Sequence, residues 1–478
     1  MTNKMNLLKF YYNLRPTNMR VNYFLPFLIC TILISFAKAQ DDSLKKEDMK
    51  LIYSSDWDWD WHCNCRKDNQ SDKNNYRSRK YKNSKGYNYY YRNDGIDNEF
   101  DLFSQIGPNP AVYGFSPSIQ AIHYNRVNGL FLGLDTEFDD FIHDFTDDHD
   151  LEVQALAGYS FGQEEWQYQI GLEKPIGYRF RIGADFHNVT ATDDYWRSGL
   201  TENTVSSLIS GYDYHDYYKS EGYSVYSSLR LFRSTYLGIS YGTDTFNSLE
   251  AVTAYNIFGD GNIFRSNPRI DSNFDKISHE SAGFSLNMNP KLYNITQNFS
   301  TSLELRGEIG NLTKTSNEFL FNKYIVQAKS IVRLDRSTFL RWRVMGGAIT
   351  GVAPDFKQFA LGGIGSMRAT EYKSMQGNTM LLSNMELVFG RHSDLDMGFL
   401  EIDGLYISLF MDSGWTEFNS RLANTLDPFS AFDNFTVSEL IHNIGFGIGS
   451  DVFRVEFAKP ISNDGGFSAF WIRLNPTF

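Results

Sequence analysis

The chain has 478 residues, is rich in Tyr, Phe and Gly and poor in Pro, and carries a net charge of −12. This negative balance argues against a nucleic-acid partner, which requires a basic footprint. Mean hydropathy is low, and a single apolar run resembles a membrane helix. A transmembrane β-barrel tolerates this composition because only every second residue of a strand faces lipid.

The N-terminal segment has the pattern of a secretory signal peptide. Arg20 precedes the apolar run YFLPFLICTILISF, and the small residues of AKA follow it. This pattern predicts cleavage after Ala39, so residues 1–39 would be the signal peptide and Cys30 would leave with it. A membrane anchor is the alternative, but the run is shorter than the roughly 20 residues that a spanning helix needs.

Residues 40–115 form a polar, low-complexity segment. The stretch KDNQSDKNNYRSRKYKNSKGYNYYYRNDG contains almost no aliphatic side chain. Such a segment buries too little apolar surface to offset the entropy of ordering, so we predict a short disordered periplasmic tail or linker. His62, Cys63 and Cys65 lie within it, but they lack the paired spacing of a zinc site. We therefore predict no metal there and assign no role to the cysteine pair.

Residues 116–478 show a period-two alternation that is typical of β-strands. In FRVEF, apolar Phe453, Val455 and Phe457 alternate with Arg454 and Glu456. In WQYQIGLE, one face holds Trp166, Tyr168, Ile170 and Leu172, and the other holds Gln167, Gln169 and Glu173. Side chains alternate between the two faces of a strand, so each segment has one apolar and one charged face.

The connections between these segments alternate in length. Tight turns lie around Gly177 and Ser234, whereas residues 189–221, 246–279, 350–377 and 414–439 are long and polar. Short turns on one side and long loops on the other are the pattern of outer-membrane barrels. A soluble β-sandwich or propeller is the alternative, but the signal peptide and a polar face with charges of both signs argue against it.

The sequence therefore predicts an all-β fold, a transmembrane antiparallel β-barrel of about sixteen strands, with fourteen as the alternative. The last strand, FSAFWIRLNPTF, ends in Phe478, an aromatic terminus that suggests the strand closing the barrel. The predicted strands lie near 117–125, 128–138, 150–160, 165–174, 178–188, 222–232, 235–245, 280–290, 299–310, 319–333, 337–349, 378–390, 403–413, 440–449, 452–459 and 466–478.

Three C-terminal stretches resemble one family. FALGGIGSMRATEY, GLYISLFMDSGW and GFGIGSDVFRVEFAKPI are similar to the Gly-Gly, Arg-Gly-aromatic loop and the two following strand motifs of the BamA/TamA superfamily (bacterial surface antigen family) of outer-membrane barrels. The loop motif contains Gly362, Gly363, Gly365 and Arg368. The strand motif Phe-x-Asp-x-Gly is carried by Phe410, Asp412 and Gly414.

The resemblance implies that the loop 351–377 folds into the lumen and that Arg368 meets acidic groups on inner strands. Strand parity independently points Asp412 into the lumen, and Glu386 is another lumen-facing candidate. The alternative is an external loop with a solvated arginine. The sequence departs from the motif after Arg368, where Ala369 replaces glycine and Thr370 replaces the aromatic residue. Tyr372 is then the candidate for the aromatic role.

No catalytic constellation is present in the sequence. The acidic run 135–150 lacks the glycine turn of a calcium loop, so we expect a solvated turn rather than a metal site. We find neither a nucleophile nor a paired acid and base, and we predict neither an enzyme nor a cofactor.

The resemblance implies an outer-membrane protein of a Gram-negative-type bacterium that acts in assembly or translocation of proteins or lipids. The POTRA repeats of assembly and secretion members are missing, which leaves room for a separate periplasmic partner. A passive channel or solute transporter, or a surface-exposed adhesive barrel, is the alternative. The expected partner is outer-membrane lipid, and a monomeric barrel is the expected state.

Overall fold

The computed structural model describes residues 120–474, apart from 136–150, 177–178, 233, 259–263, 290–297, 311–318, 397–400, 434, 451–452 and 462–467. The predicted signal peptide, the whole of the predicted tail and linker, and Phe478 lie outside the described residues. The same holds for Cys63, Cys65 and most of the acidic run.

Sixteen strands in the described part of the chain form one antiparallel sheet, in which each strand pairs with its neighbour in sequence order. They are β1 (Ile122–Asn125), β2 (Gly129–Asp135), β3 (Glu152–Ser160), β4 (Glu165–Ile176), β5 (Phe180–Ala191), β6 (Tyr218–Phe232), β7 (Thr235–Ser248), β8 (Lys276–Met288), β9 (Phe299–Gly310), β10 (Phe321–Arg333), β11 (Thr338–Gly351), β14 (Thr379–Asp396), β15 (Glu401–Glu417), β16 (Ile441–Gly449), β17 (Phe453–Pro460) and β18 (Ala469–Leu474). A separate hairpin, β12 (Phe359–Leu361) and β13 (Met375–Gly377), lies in the connection between β11 and β14. The all-β class and the count of sixteen are confirmed.

The sheet is polar on its buried face and apolar on its exposed face. In β4, Trp166 is 67% exposed whereas Gln167 is fully buried. In β17, Phe453 and Phe457 are exposed, and Arg454 and Glu456 between them are fully buried. A soluble sheet buries its apolar face instead. The exposed face is therefore suited to lipid, and the buried face lines a polar lumen.

Four long connections lie at one end of the sheet. Residues 192–217, 249–275, 352–378 and 418–440 each follow a strand of the same direction, because consecutive strands are antiparallel. The short turns between β4 and β5, β6 and β7, and β10 and β11 lie at the opposite end. The alternation of connection lengths in the sequence thus corresponds to the two ends of the barrel, except that the long connection 136–151, between β2 and β3, belongs to the end with the short turns.

One helix, α1 (Leu200–Ser210), lies within the connection 192–217, where the sequence pattern predicts only a long polar loop. Its N-cap, Gly199, makes no side-chain cap, and it ends at Gly211 in the left-handed conformation. A weakly amphipathic helix without a capping side chain is difficult to predict, because its sequence signals are weak. No helix in the described ranges is long and apolar enough to span a membrane.

Helix α1 joins the first and last strands of the sheet. The backbone N–H of Tyr124 in β1 donates to Thr204 Oγ1 at 3.4 Å, and the N–H of Leu474 in β18 donates to Glu202 Oε1 at 3.0 Å. Glu202 and Thr204 belong to one helical turn, so the two edges of the sheet lie close together and the sheet is rolled into a barrel. We call this junction of β1, α1 and β18 the seam.

Candidate functional site

Residues 352–378, which we call the lumen loop, begin with a 3₁₀ turn and the hairpin β12–β13. At the tip, Gly362, Gly363 and Gly365 all have positive φ angles, of 114°, 83° and 67°. A Cβ on Gly362 would lie 2.1 Å from Glu371 O, and one on Gly365 would lie 1.9 Å from Arg197 O. Glycine is required there for both conformation and space.

The apolar side of the lumen loop packs against the inner wall. Phe359, Leu361 and Met367 from the loop form a buried cluster with Met345 of β11 and Met380 of β14, among others. Buried apolar contacts of this kind stabilise the loop inside the barrel. The apolar packing therefore positions the backbone from which Arg368 extends.

Arg368 binds Asp412 of β15 through two parallel hydrogen bonds. Its Nε donates to Oδ2 at 2.9 Å and its Nη2 donates to Oδ1 at 2.8 Å, while its backbone N–H also donates to Oδ2 at 3.1 Å. The guanidinium lies over the Phe410 ring, 3.3 Å from the ring centroid. This bidentate, stacked arrangement fixes the orientation of the arginine, which a lysine could not reproduce.

The same arginine reaches two further carboxylates. Its Nη1 donates to Glu456 Oε1 of β17 at 3.0 Å and lies 3.6 Å from Glu386 Oε1 of β14. Arg454 donates to Glu386 at 3.0 Å and also pairs with Glu456. Arg341 of β11 lies 3.5 Å from Glu386. We call Arg341, Arg368, Glu386, Asp412, Arg454 and Glu456 the arginine network.

The side chains of the arginine network are almost entirely buried, with 5% exposure at most. Taking so many charges out of water is unfavourable unless each is paired. Here Glu386 and Glu456 each meet three guanidinium groups, whereas Asp412 pairs with Arg368 alone, so removing Arg368 would leave buried negative charge uncompensated. The network therefore ties the position of the lumen loop to strands β11, β14, β15 and β17.

Arg343 and Asn384 secure the neighbouring part of the tip. Arg343 Nη2 donates to Gly365 O at 2.5 Å and to Asn384 Oδ1 at 2.6 Å. Asn384 Nδ2 in turn donates to Asp412 Oδ1 at 2.8 Å and to Ser366 O at 2.7 Å. Backbone carbonyls of the tip are thereby satisfied by side chains of the wall, as burial requires.

The outer side of the lumen loop is held by other long loops. Lys373 Nζ donates to Asp194 Oδ2 and to Asp216 Oδ2, each at 2.6 Å. Burial alone would raise the pKa of Asp216, yet Lys373 and Arg265 beside it hold that pKa well below its usual range. Tyr372 lies under Arg265, 4.6 Å from ring centroid to guanidinium, and its hydroxyl donates to Tyr214 O.

Tyr372 thus joins the lumen loop to the connection 192–217 and to Arg265. Arg368 does not lie over Tyr372 but over the ring of Phe410. Burial raises the pKa of Tyr372 well above its ordinary value. Gly414 lies against Met367 and Leu361, where a Cβ would come within 2.8 Å of the Met367 sulfur. The strand glycine therefore leaves space for the loop.

The network also reaches the seam. Arg473 of β18 donates from Nε to Glu202 Oε1 at 2.7 Å, and its Nη1 lies 4.0 Å from Glu456 Oε2. Trp471 of β18 donates from its indole nitrogen to Arg368 O at 2.9 Å. Because β18 touches both α1 and Arg368, the packing of the lumen loop and the joining of the sheet edges share residues.

Several of these residues were missed by sequence reasoning. The alternation in FRVEF placed Arg454 and Glu456 on the polar face, so their lumen direction was available, but not their partners. Glu202 gave no signal, because it lies on an unpredicted helix, and Arg473 is not among the residues that the sequence pattern singles out. Cross-strand register is needed to bring residues from β14, β15 and β17 to one point.

The other side of the lumen is hollow. A cavity of about 850 Å³ lies between the lumen loop and the wall from β5 to β10. Its lining includes His187, Asp244, His279, Glu308 and Lys323, so charges of both signs face it. Among the described residues, no group of three or more His, Cys, Asp or Glu side chains is arranged to hold a metal ion.

Comparison with known proteins gives one family match and several structural similarities. The model of the C-terminal domain of a family of unknown function, DUF5686, matches residues 86–305. No curated protein sequence matches the chain.

Among solved structures, the chain is similar to BamA from Haemophilus ducreyi lacking POTRA domains 1-3, with 13% identity, a TM-score of 0.47, and coverage of 73% of this chain and 68% of that chain. It is similar to CdiB from Escherichia coli, with 15% identity, a TM-score of 0.37, and coverage of 68% and 56%. It is also similar to CdiB from Acinetobacter baumannii, with 12% identity, a TM-score of 0.37, and coverage of 72% and 56%. The chain thus spans little more than half the length of the two CdiB structures.

Proposed function

We propose that this chain is an outer-membrane β-barrel of the BamA/TamA type that acts in the assembly or translocation of proteins or lipids at the outer membrane. The observation that carries the proposal is the burial of Arg368 against Asp412 and Glu456, which holds a long loop inside the lumen. A loop held in this way acts as a gate, because its release would open one half of the barrel.

The seam supports a role that goes beyond a static pore. Its backbone N–H groups at Tyr124 and Leu474 are satisfied by side chains of α1. Side-chain contacts to a strand edge are fewer and more easily exchanged than a continuous ladder of strand pairs. Arg473 connects this junction to the arginine network, so movement of the lumen loop and opening of the seam would be coupled.

The exposed face supports placement in a membrane. Ile239, Ile407 and Ile472 are each more than half exposed on different strands, as a lipid-facing belt requires. The lumen is polar and charged, which a soluble core avoids. Outer-membrane lipid is therefore the proposed surrounding, and a separate periplasmic protein is the proposed partner for delivering clients.

The decisive experiment is depletion of the protein in its native bacterium, followed by complementation. We expect depletion to lower the amounts of outer-membrane proteins or lipids and the wild-type chain to restore them. Arg368→Ala should fail to restore them, and Arg368→Lys should restore them in part, because it keeps the charge but loses the bidentate geometry. Heat-modifiable gel mobility of each variant reports whether the barrel itself is assembled.

Arg269→Ala is the matched control, because Arg269 pairs with Asp275 on the surface and both side chains are more than half exposed. It should behave as wild type. An unchanged outer-membrane composition after depletion would contradict the proposed assembly role.

A passive channel is the second candidate, and the cavity of about 850 Å³ favours it. Purified protein in liposomes should then pass small solutes without any partner. Ser281→Trp, in the cavity wall, should reduce that flux. Solute flux in liposomes together with normal membrane assembly in depleted cells would favour the channel over the assembly role.

A further inference from the structure

A group of exposed apolar side chains lies at the seam, outside the strands. Ile209, at the C-terminal end of α1, is 40% exposed, and Tyr255, Ile257 and Phe258 are 65%, 51% and 77% exposed. These four residues come from two different long connections. We call Ile209 together with residues 252–258 the seam patch.

Backbone hydrogen bonds hold the seam patch together. The N–H groups of Ile257 and Phe258 donate to Leu208 O and Ile209 O, at 2.9 and 3.0 Å. At the other end of the segment, Val252 N–H donates to Arg126 O at 2.9 Å, in the turn after β1. Residues 252–258 thus run from the rim of β1 to the C-terminal end of α1, on the β1 side of the seam.

The register of β1 shows which side of the wall this segment covers. Tyr124 pairs with Leu130 and lies on the same strand face as Ile122, and both Leu130 and Ile122 are exposed. Tyr124 lies on this outward face but is buried. Its hydroxyl donates to Tyr255 O at 2.5 Å and also bonds Thr253 Oγ1, so the segment 252–258 covers it. The segment therefore lies over the outward, apolar face of β1 and not over the lumen.

The apolar surface continues on the other side of the seam. Phe470 and Ile472 of β18 are 54% and 52% exposed. The segment AVTAYNIF, residues 251–258, contains no charged side chain. An uncharged surface that carries Tyr and Phe and lies against the lipid-facing side of β1 has the chemistry of the belt itself, in which Phe and Tyr are enriched near the membrane interface.

We propose that the seam patch is embedded among lipid acyl chains and continues the lipid-facing belt across the junction of β1 and β18. The proposal rests on the membrane placement given under the proposed function. In this arrangement α1 satisfies the polar backbone at the strand edges from one side, while the seam patch excludes water from the other. The occupant is the acyl chain of a membrane lipid, because the seam patch is continuous with the lipid-facing side of β1.

Fluorescence quenching in vesicles tests this directly. The full mature chain, with Cys63→Ser and Cys65→Ser, receives one cysteine at a time and a bimane label: Ile257→Cys, Phe258→Cys, Ile239→Cys or Asn273→Cys. Each variant is reconstituted in phosphatidylcholine vesicles with and without brominated acyl chains. Ile239 is the lipid-facing control, at 58% exposure in β7, and Asn273 is the exposed polar control in the same connection as the patch.

We expect brominated lipid to reduce the fluorescence at Ile257 and Phe258 by a fraction comparable with that at Ile239, and to leave Asn273 unchanged. If Ile239 is quenched while both patch positions behave as Asn273 does, the proposal is overturned and the membrane barrel stands. If Ile239 is not quenched either, membrane placement fails and the proposal fails with it. Gel mobility of the folded barrel confirms that each labelled variant has assembled.

Discussion

On the side of the lumen formed by β14 to β18, Arg368 donates hydrogen bonds to both Asp412 and Glu456, and all three side chains are almost fully buried. On the side formed by β5 to β10, the wall faces a cavity of about 850 Å³. Both sides are built from strands with the same alternation of polar and apolar residues. The difference is the lumen loop, which fills only one of them.

The charged side chains of a polar lumen can thus be accommodated in two ways. Where the loop packs, charges are desolvated and must be paired with good geometry. Where the cavity remains, some charged side chains keep partial exposure, as Arg306 does at 32%, and the pairing of those exposed charges contributes less. The same type of substitution should therefore have unequal effects on the two sides, which gives a direct test of the difference.

The largest effect is expected for Arg368→Ala on the packed side. It leaves Asp412 and Glu456 with fewer buried partners, which should lower the free energy of unfolding by about 3–5 kcal/mol. Urea-induced unfolding followed by tryptophan fluorescence in vesicles measures this. A loss no larger than that of a surface arginine would show that the packed side is hydrated after all.

Gly365→Ala should also destabilise the packed side. Its backbone has a φ of 67°, and the added Cβ would lie 1.9 Å from Arg197 O. The left-handed conformation alone should cost about 1–3 kcal/mol, and the steric overlap adds to it. Gly199→Ala is the control, since a Cβ there meets nothing within 4 Å. Equal unfolding curves for the two variants would argue against the tight fit of the tip.

Lys373→Ala tests the outer attachment of the lumen loop. The substitution removes one cation from between Asp194 and Asp216, although Arg197 and Arg265 remain near them. We expect a loss of about 1–3 kcal/mol, because partly buried acceptors lose a charged donor. Limited proteolysis within residues 352–378 should become faster in this variant, and an unchanged cleavage rate would count against the attachment.

The same attachment predicts a dependence on pH. The folded-state pKa of Asp216 lies below its unfolded value, with Lys373 and Arg265 overcoming the opposing effect of burial. The resulting stabilisation is fully present above the unfolded pKa of about 4 and is lost as pH falls toward the folded pKa. Unfolding measured from pH 6 down to about pH 2 should show a smaller decline for Asp216→Asn than for wild type. Equal declines in the free energy of unfolding for the two proteins would show that Asp216 does not cause the pH dependence.

The smallest effect is expected for Arg306→Ala on the hollow side. Arg306 lines the cavity, its side chain is 32% exposed, and it lies 2.9 Å from Glu304. Its loss should change the free energy of unfolding by less than about 1 kcal/mol, because a solvent-screened pair contributes little. A change as large as that of Arg368→Ala would mean that the two sides do not differ in hydration.

Much of the barrel could be predicted from the sequence. The residues of β4 and β17 alternate so regularly that strand position and facing follow from period two alone. All sixteen predicted strands have counterparts, although β6 and β8 begin four residues earlier than predicted, at Tyr218 and Lys276. Neighbouring polar turns and strand ends share composition, so these boundaries are weakly encoded.

The candidate site was only partly predictable. Arg368 and Asp412 were singled out from a resemblance and from strand parity, and the structure places them together. Glu386 belongs to the same network, mainly through its hydrogen bond with Arg454. The aromatic role assigned to Tyr372 remains a prediction, since Tyr372 contacts the connection 192–217 and Phe410 lies under the arginine.

The sequence by itself determined the strands, their two faces and the end of the barrel at which each loop lies. These properties depend on neighbours along the chain, through the period of the strand and the length of each connection. Only the tertiary structure decided which half of the lumen is filled, which carboxylates surround Arg368, and that α1 joins β1 to β18. Those contacts connect residues up to 272 positions apart, as between Glu202 and Leu474, and no local pattern encodes a distance of that kind.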